Sequence, residues 1–237
     1  MISNAEIKLI RSLREKKFRE ENGLFVVEGE KMVQEALDSS FEVVKVFRRD
    51  DIGENAMSRI SMLNTPSPAL ALVKIPRPEA LPDPSDGLYL ALDSIRDPGN
   101  LGTIMRLADW FGIDGIFASA DTVELYNPKT IQSTMGTIFR KKIRYCNLAG
   151  LCRDYVASGR PLYGTFLDGD NIYESPLASD AMIVMGNEAN GISPEIASLV
   201  TSRIHIPSFA GGPCAESLNV AVATAVTVSE FRRRYRR

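Results

Sequence analysis

The stretch from Ala181 to Val228 constrains the fold of this chain more than any other part of its sequence. It begins with an apolar run, Ala181–Met185, which is short enough to be a strand buried on both faces. A turn bounded by two glycines, Gly186–Gly191, follows and carries a single carboxylate, Glu188. These residues predict a buried strand and then a tight turn that presents one acidic side chain.

The rest of this stretch predicts a helix, a second strand, a loop and a last helix. Ser193 stands before a proline and therefore has the position of a helix N-cap. Arg203–Pro207 is a second short strand, and a glycine-rich loop, Ser208–Glu216, leads into the helix-like run Ser217–Val226, which has Asn219 near its start. Because helix N-termini carry free N–H groups and the positive end of the dipole, this loop suits a carboxylate or a phosphate.

This order of elements closely resembles the AdoMet-dependent RNA ribose methyltransferases of the SpoU/TrmH class, in the SPOUT superfamily. The first motif of that class, NxGxxxRxA, is also present, as Asn100–Ala108. Three motifs in the right order over roughly the last 150 residues make a specific signal.

The resemblance implies a parallel-sheet α/β domain with a deep C-terminal trefoil knot, preceded by a small ribosomal-protein-like α/β domain. The knot is expected on the resemblance alone, since threaded chains are almost absent from proteins. The implied activity is methyl transfer from S-adenosyl-L-methionine to a ribose 2′-hydroxyl, and the implied assembly is a homodimer. The accessory N-terminal domain favours ribosomal RNA over transfer RNA as the partner.

The family motifs also assign site residues. By motif position, the catalytic residues are Asn100, Arg106, Glu188, Ser217 and Asn219. The expected cofactor-binding residues are Met185, Gly186, Asn187, Gly191, Ile206, Pro207, Ser217, Leu218 and Asn219. No metal site is expected.

Arg106 is the family's catalytic residue by position. Because a guanidinium resists deprotonation, we expect it to stabilise an alkoxide or a phosphate, with an RNA phosphate as the proton acceptor. Glu188 is a candidate to hold Arg106 in place. Each residue also has a purely structural interpretation: an exposed helix arginine, an exposed turn glutamate, and helix caps at Ser217 and Asn219.

One segment departs from the class. Members commonly have Arg-Ala-Ser-x-Gly-Ala after Asn-Pro-Lys, whereas this chain has Gln132 for the arginine and Ser133 or Thr134 for the serine. The departure leaves the RNA contacts of this segment open. The basic run from Arg140 to Arg144 could hold the RNA backbone instead, and the arginine-rich tail from Arg232 could contact RNA or complete a helix C-terminus.

The chain is expected to have two domains. Prolines at positions 76, 78, 82 and 84 predict a linker over residues 76–86, which separates an RNA-binding domain, 1–75, from the methyltransferase domain, 87–237. In the first domain, residues 4–20 predict one amphipathic helix with a basic face, and in the second, alternating strands and helices predict a doubly wound parallel sheet. A chain beginning near Asp83 is expected to fold and bind the cofactor alone.

Composition limits the other function classes. The formal net charge of −2 does not attract nucleic acid as a whole, so RNA binding requires local basic patches. The three cysteines have no paired spacing and there is one histidine, His205, which argues against a zinc site or a disulfide framework. The chain shows no signal-peptide pattern and no apolar run of membrane-spanning length, so we expect a cytoplasmic protein without membrane contact.

Three alternatives remain at this stage. The substrate could be transfer RNA, or the chain could be an RNA-binding homologue that lacks activity, which the intact Asn100, Arg106, Glu188 and Asn219 oppose. The third is an oxidoreductase with a dinucleotide-binding turn at Gly99–Gly102, but the GxGxxG spacing is missing and Asp121 is the nearest acidic residue.

Overall fold

The computed structural model describes residues 2–77, 83–212 and 215–235. Within these ranges the chain forms two compact units, one of residues 2–77 with 124–140 and the other of residues 83–123 with 141–235. Part of the expected linker (78–82), part of the glycine-rich loop (213–214) and the end of the arginine-rich tail (236–237) lie outside the described residues.

The first unit begins with two helices where the sequence predicted one. These are α1 (Asn4–Ser12) and α2 (Lys16–Asn22). The chain breaks between them because Leu13 is fully buried and the buried Arg19 donates to the carbonyls of Leu13 and Arg14, at 2.6 and 2.7 Å. A continuous helix would have used those carbonyls for its own backbone hydrogen bonds. The expected single helix over 4–20 is therefore wrong.

A three-stranded antiparallel sheet completes this part of the first unit. Its elements in chain order are β1 (Leu24–Glu28), α3 (Glu30–Leu37), β2 (Val43–Arg48), α4 (Arg49–Ile52), α5 (Glu54–Ile60) and β3 (Ala69–Lys74). The strand order is β1-β3-β2, and the central strand β3 is apolar and buried along almost its whole length. The short helices α4 and α5 were not predicted from the sequence.

The remaining described elements alternate between strands and helices. They are β4 (Leu88–Leu92), α6 (Pro98–Trp110), β5 (Gly115–Ser119), α7 (Pro128–Thr134), β6 (Ile143–Cys146), α8 (Leu148–Ala157), β7 (Leu162–Asn171), β8 (Ala181–Met185), α9 (Pro194–Ala197), β9 (Ser202–His205) and α10 (Val220–Arg234). All of them except α7 belong to the second unit.

The second unit contains a parallel sheet of six strands among the residues described. Its strand order is β6-β5-β4-β8-β7-β9, and every pairing is parallel. β4 and β8 are central and buried, and for β8 the uninterrupted apolar run Ala181–Met185 predicted this. The prediction of an α/β fold with a parallel sheet is confirmed.

The two helices after β8 differ from expectation. α9 has only one turn, and the Ser193 side chain at its N-cap position makes no capping hydrogen bond. α10 begins at Val220 rather than at Ser217, because the side-chain oxygen of Asn219 accepts the N–H groups of Ala221 and Val222 at 2.9 and 3.3 Å. Asn219 is therefore the cap, and Ser217 lies in the loop before the helix.

Basic residues fix the C-terminal end of α10. Arg232 donates to the carbonyls of Phe111 and Gly112, and Arg234 donates to those of Ser175, Ile172 and Tyr173. For these two arginines the structure supports the structural interpretation of the tail over RNA contact.

The segment 124–140 packs within the first unit. An ion pair joins Arg19 to Glu124, and a second joins Glu35 to Arg140. Ring contacts lie between these pairs: the centroids of Phe25 and Tyr126 are 4.8 Å apart and those of Phe41 and Phe139 are 5.2 Å apart. A chain starting near Asp83 would lose these partners, so the structure argues against its expected independent folding.

The Arg19–Glu124 pair gives a test of this packing. The Arg19 side chain is 3% exposed, so Glu124→Ala leaves a buried guanidinium without its carboxylate and should lower the free energy of unfolding of the first unit by about 3 kcal/mol. Hydrogen exchange of the β1 and β3 amides measures this loss. The control, Glu20→Ala, removes an exposed pair with Lys16 and should cost less than about 0.5 kcal/mol. Equal protection in both variants would contradict the packing.

Candidate active site

The site lies where two neighbouring parallel strands end. β4 and β8 pair up to Leu92 and Met185, and the N–H of Asp93 continues the ladder by donating to the Met185 carbonyl at 2.9 Å. From β4 the sheet extends to β5 and β6 on one side and to β8, β7 and β9 on the other. In open α/β sheets, ligands bind at the carboxyl ends of strands at such a switch point.

The turn after β8 is held by its own backbone. Asn187 and Gly191 exchange two backbone hydrogen bonds of 2.9 Å each. A Cβ atom on Gly186 would lie 2.3 Å from the carbonyl carbon of Gly191 and from the nitrogen of Ile192, and Gly191 itself has φ 69°. Both glycines are therefore required by the turn itself, whatever it binds.

Two contacts tie this turn to the loop after β4. The Asn187 side chain donates to the Ser94 carbonyl at 2.7 Å, and the Ser193 N–H donates to Oδ2 of Asp93 at 2.7 Å. Asp93 is only 3% exposed. The sequence analysis missed Asp93 and Ser94, although a carboxylate directly after a buried strand was a signal that could have found them.

A chain of side-chain hydrogen bonds joins the three motifs. Asn100 Nδ2 donates to Glu188 Oε1 at 2.8 Å, and Asn219 Nδ2 donates to Asn100 Oδ1 at 2.9 Å. At the start of α6, Oδ1 of Asp97 accepts the Asn100 N–H at 2.8 Å and caps the helix. The first motif, the turn after β8 and the start of α10 thus converge on one amide side chain.

Arg106 takes no part in these side-chain hydrogen bonds. It lies further along α6 with an exposed side chain, and it makes no hydrogen bond or ion pair within the part of the protein that the structure describes. Glu188 contacts Asn100, and not Arg106 as the sequence analysis expected. The structure therefore brings Asn100, Glu188 and Asn219 together and leaves the guanidinium of Arg106 available.

The other expected cofactor residues differ in exposure. Met185 is 1% exposed, and its carbonyl already accepts the N–H of Asp93. Ile206 and Pro207 are half-buried after β9, whereas Ser217 is exposed and Leu218 is 50% exposed before α10.

His205 and Thr134, a residue of the departing segment, differ in their hydrogen bonding. His205 ends β9, and its Nδ1 atom is buried without a hydrogen-bond partner. Thr134 is buried, and its hydroxyl donates to the carbonyl of Ile131 in the same helix, α7. Among the residues described, no group of three His, Cys, Asp or Glu side chains could hold a metal ion.

The structure opposes the dinucleotide-binding alternative. Gly99 and Gly102 both lie inside α6, rather than in a loop before a helix. Asp121 belongs to a surface network instead: hydrogen bonds from the hydroxyls of Ser119 and Ser94, with the nearby charge of Arg96, hold the pKa of its carboxyl below the usual range.

Comparison with known proteins identifies the family. The family model for SpoU rRNA methylases matches residues 87–229. The chain belongs to the SpoU rRNA methylase family. A second model, for the MRM3-like substrate binding domain, matches residues 4–71.

Relatives of this SpoU-family chain match it along nearly its whole length. The 23S rRNA (guanosine(2553)-2′-O)-methyltransferase RlmP of Bacillus subtilis is 30% identical over 97% of this chain and 96% of its own. A solved structure of a TrmH-family protein from Porphyromonas gingivalis is 38% identical, with a TM-score of 0.87 over 99% of this chain and 100% of that one. An AdoMet-bound rRNA methyltransferase from Sinorhizobium meliloti is 30% identical, with a TM-score of 0.86 over 99% and 96%.

Within the described ranges, no helix is long and apolar enough to cross a bilayer.

Alanine substitutions at three glycines test the turn after β8. Gly186→Ala should lower the free energy of unfolding by about 3 kcal/mol, because its Cβ would overlap backbone atoms. Gly191→Ala should cost about 1–2 kcal/mol, since only its left-handed φ is strained. Gly211→Ala has open space around its Cβ position and should stay within about 0.5 kcal/mol. Urea denaturation gives the three values, and a different rank order would contradict the geometry.

Proposed function

We propose that this protein transfers the methyl group of S-adenosyl-L-methionine to a ribose 2′-hydroxyl of ribosomal RNA. The observation that carries the proposal is the hydrogen-bonded chain from Asn219 through Asn100 to Glu188, which unites the three family motifs at the switch point of the sheet. Membership of the SpoU rRNA methylase family and the rRNA methyltransferases among its relatives support it.

The loops after β8 and β9 and before α10 suit the cofactor. S-adenosyl-L-methionine requires an apolar slot for adenine, backbone groups that read the adenine edge, and donors for its carboxylate. Leu218 is half-exposed and Ile206 is half-buried, so apolar side chains are accessible in these loops. We assign to the cofactor the residues Met185, Gly186, Asn187, Gly191, Ile206, Pro207, Ser217, Leu218 and Asn219.

The cofactor supplies a methyl group that its sulfonium already activates. The protein therefore has to orient the ribose hydroxyl and help its proton leave as the C–S bond breaks and the new C–O bond forms. The Arg106 guanidinium stays protonated, so we assign it the role of stabilising the developing alkoxide and the adjacent phosphate. A phosphate oxygen of the RNA then takes the proton of the hydroxyl. The hydrogen bonds among Asn100, Glu188 and Asn219 position the loops after β8 and before α10. Ser217 precedes Asn219 in the second of these loops.

Arg106→Ala tests this role. Loss of one electrostatic stabiliser should slow methyl transfer at least about 100-fold, while calorimetry should show nearly unchanged cofactor affinity. Arg106→Lys keeps the charge but not the planar fork and should be intermediate. The control is Arg153→Ala, which removes an exposed arginine of the same unit that pairs with Glu195, and it should retain the wild-type rate. Near wild-type turnover of Arg106→Ala would remove the assigned role.

We propose a domain organisation that follows the family models. The ranges are an RNA-binding domain over 1–75, a linker over 76–86 and a methyltransferase domain over 87–237, supported by matches at 4–71 and 87–229. By its contacts, the segment 124–140 belongs to the first compact unit, so the methyltransferase range includes a piece that packs with the RNA-binding range. Experiments on this protein should therefore use the full chain.

We also propose the trefoil knot at the C-terminus. The chain leaves β9, the outermost strand of the sheet, and then forms α10, which packs against α6 and is linked to it through Asn219 and Asn100. The chain thus runs from an edge strand back to α6, the helix that follows central strand β4. This path supports the knot implied by the family.

We further propose a homodimer that buries the outer face of α10. Val222 is 50% exposed on this face, and the neighbouring Ala223, Ala225 and Val226 are only half-buried. Trp110, the single tryptophan of the chain, is 85% exposed at the end of α6, which packs against α10. A second copy on this face would cover apolar surface that is costly to leave in water.

Val222→Arg tests the dimer. Light scattering at micromolar concentration should give a dimer for the wild-type protein and a monomer for the variant, because the arginine would bury a charge in the interface. Emission from Trp110 should shift to longer wavelength as the partner leaves. The matched control is Val44→Arg, at a valine of the first unit with 49% exposure. A monomeric wild-type protein, or a variant that stays dimeric, would contradict the assignment.

Mapping of 2′-O-methyl groups identifies the substrate. We place the protein in the cytoplasm, where bacterial ribosomal RNA is made, and expect one methylated ribose of ribosomal RNA to disappear from cells that lack it. Loss of a transfer RNA methyl group would favour the alternative substrate. Unchanged methylation of both RNAs, with RNA binding retained, would indicate the silent homologue.

A further inference from the structure

A basic cleft lies on the first unit, and none of its lining residues belongs to the site assigned above. It opens between α1 and α5, has a volume of about 380 Å³, and is lined by Asn4, Ile7, Lys8, Arg11 and Arg59. Three of these five side chains are cations and none is a carboxylate. The four residues from α1 lie on one face of that helix, because they are spaced by three or four positions.

Most of the other basic residues near the N-terminus already make hydrogen bonds or ion pairs within the protein. Arg14 donates to the carbonyl of Ser61 at 2.7 Å, and Arg19 is buried in its ion pair with Glu124. Lys16 and Lys17 pair with glutamates one turn later in α2.

By contrast, Lys8 and Arg11 are exposed and make no hydrogen bond or ion pair with any residue that the structure describes. They are thus the two cations of this region that remain available for a ligand.

The nearest acidic side chain of α1 does not neutralise the cleft. Glu6 is engaged by Lys45 at 2.5 Å and by Ser3 at 2.8 Å, and these contacts lower the pKa of its carboxyl to about 2. Its charge is therefore balanced by Lys45. Within the cleft, Arg59 makes a weak contact with the Asn4 side chain at 3.4 Å, which leaves most of its five donors unused.

The positive charges of the cleft suit a sugar-phosphate backbone. Lys8 and Arg11 lie about 4.5 Å apart along the axis of α1, and Arg59 faces them from α5. Ile7 also lines the cleft, and its side chain is 5% exposed. The planar guanidinium groups of arginine and the ammonium of lysine match phosphate oxygens.

We infer that this cleft binds backbone phosphates of the RNA substrate, through Lys8, Arg11 and Arg59. The inference rests on the proposed function and adds to it the surface that holds the RNA. Phosphate contacts position RNA without reading its sequence, so the cleft raises affinity and does not take part in methyl transfer. Its loss should raise KM and leave kcat unchanged.

Two triple variants with the same change in net charge test the cleft. The cleft triple is Lys8→Gln, Arg11→Gln and Arg59→Gln. The control triple is Lys16→Gln, Lys17→Gln and Lys74→Gln, three exposed lysines that each pair with a glutamate. The probe is ribosomal RNA purified from cells that lack the protein, and binding is measured by filter retention over a series of salt concentrations.

The cleft triple should weaken RNA binding at least about tenfold at low salt and reduce the slope of log K against log salt by about 2, since each lost phosphate contact removes roughly 0.7–0.9. Its KM for RNA should rise at unchanged kcat, and calorimetry should show unchanged cofactor affinity. The control triple should have the wild-type slope. A single charge reversal, Lys8→Glu, should weaken binding in the same direction.

The possible outcomes separate this inference from the proposed function. Equal RNA affinity and salt slope in the two triples would overturn the phosphate cleft, while methyl transfer by both would leave the function standing. A wild-type protein that methylates no RNA would overturn the function. Poly-glutamate that binds the wild-type protein more tightly than RNA, and loses this binding in the cleft triple, would show a surface for an acidic protein and would also overturn the inference.

Discussion

The arrangement of the site depends on the side-chain amide of Asn100. This group donates to Glu188 with its nitrogen and accepts from Asn219 with its oxygen, at 2.8 and 2.9 Å. A carboxylate of the same shape could only accept, and an ammonium could only donate, so neither could join both partners. The amide thereby fixes the start of α6, the turn after β8 and the start of α10 relative to one another. Glu188 and Asn219 are each held by a second contact as well, one in the turn and one at the helix cap.

Helix α10 is fixed at both ends by polar groups, whereas its middle is apolar. Asn219 satisfies two N–H groups at its start, and Arg232 and Arg234 bind backbone carbonyls beyond its end. The buried carboxyl of Glu230 pairs with Arg233 and Arg234, and these bonds lower its pKa to about 2. Any stability from this pairing is present above the ordinary pKa near 4.5 and is lost as the pH falls towards 2. The hydrogen bonds at the two ends therefore hold the helix in position within the second unit.

The features that depend on local sequence pattern were predicted from the sequence. Strand β8 has the predicted bounds because a five-residue apolar run between polar residues permits little else, and the parallel sheet followed from alternating strands and helices. Contacts between distant residues were not predictable in the same way. The break between α1 and α2 depends on Arg19 reaching the carbonyl of Leu13, and the partner of Glu188 became evident only once α6 and the turn lay side by side. Asn219 was predicted as a site residue, and its role as the helix cap places the start of α10 three residues after Ser217.

The segment 124–140 contains the positions that depart from the family pattern, and its contacts lie within the first compact unit. Thr134 is buried with its hydroxyl bonded inside α7, so this departure affects packing and not a ligand. Gln132 is half-buried and neutral at the position where the family resemblance leads us to expect an arginine. Lys8 and Arg11, two exposed cations without a partner among the residues described, lie instead in the cleft beside α5. The Asn100 hydrogen bonds involve no residue of the first unit, so the proposed phosphate cleft and the hydrogen bonds at the cofactor loops depend on different residues.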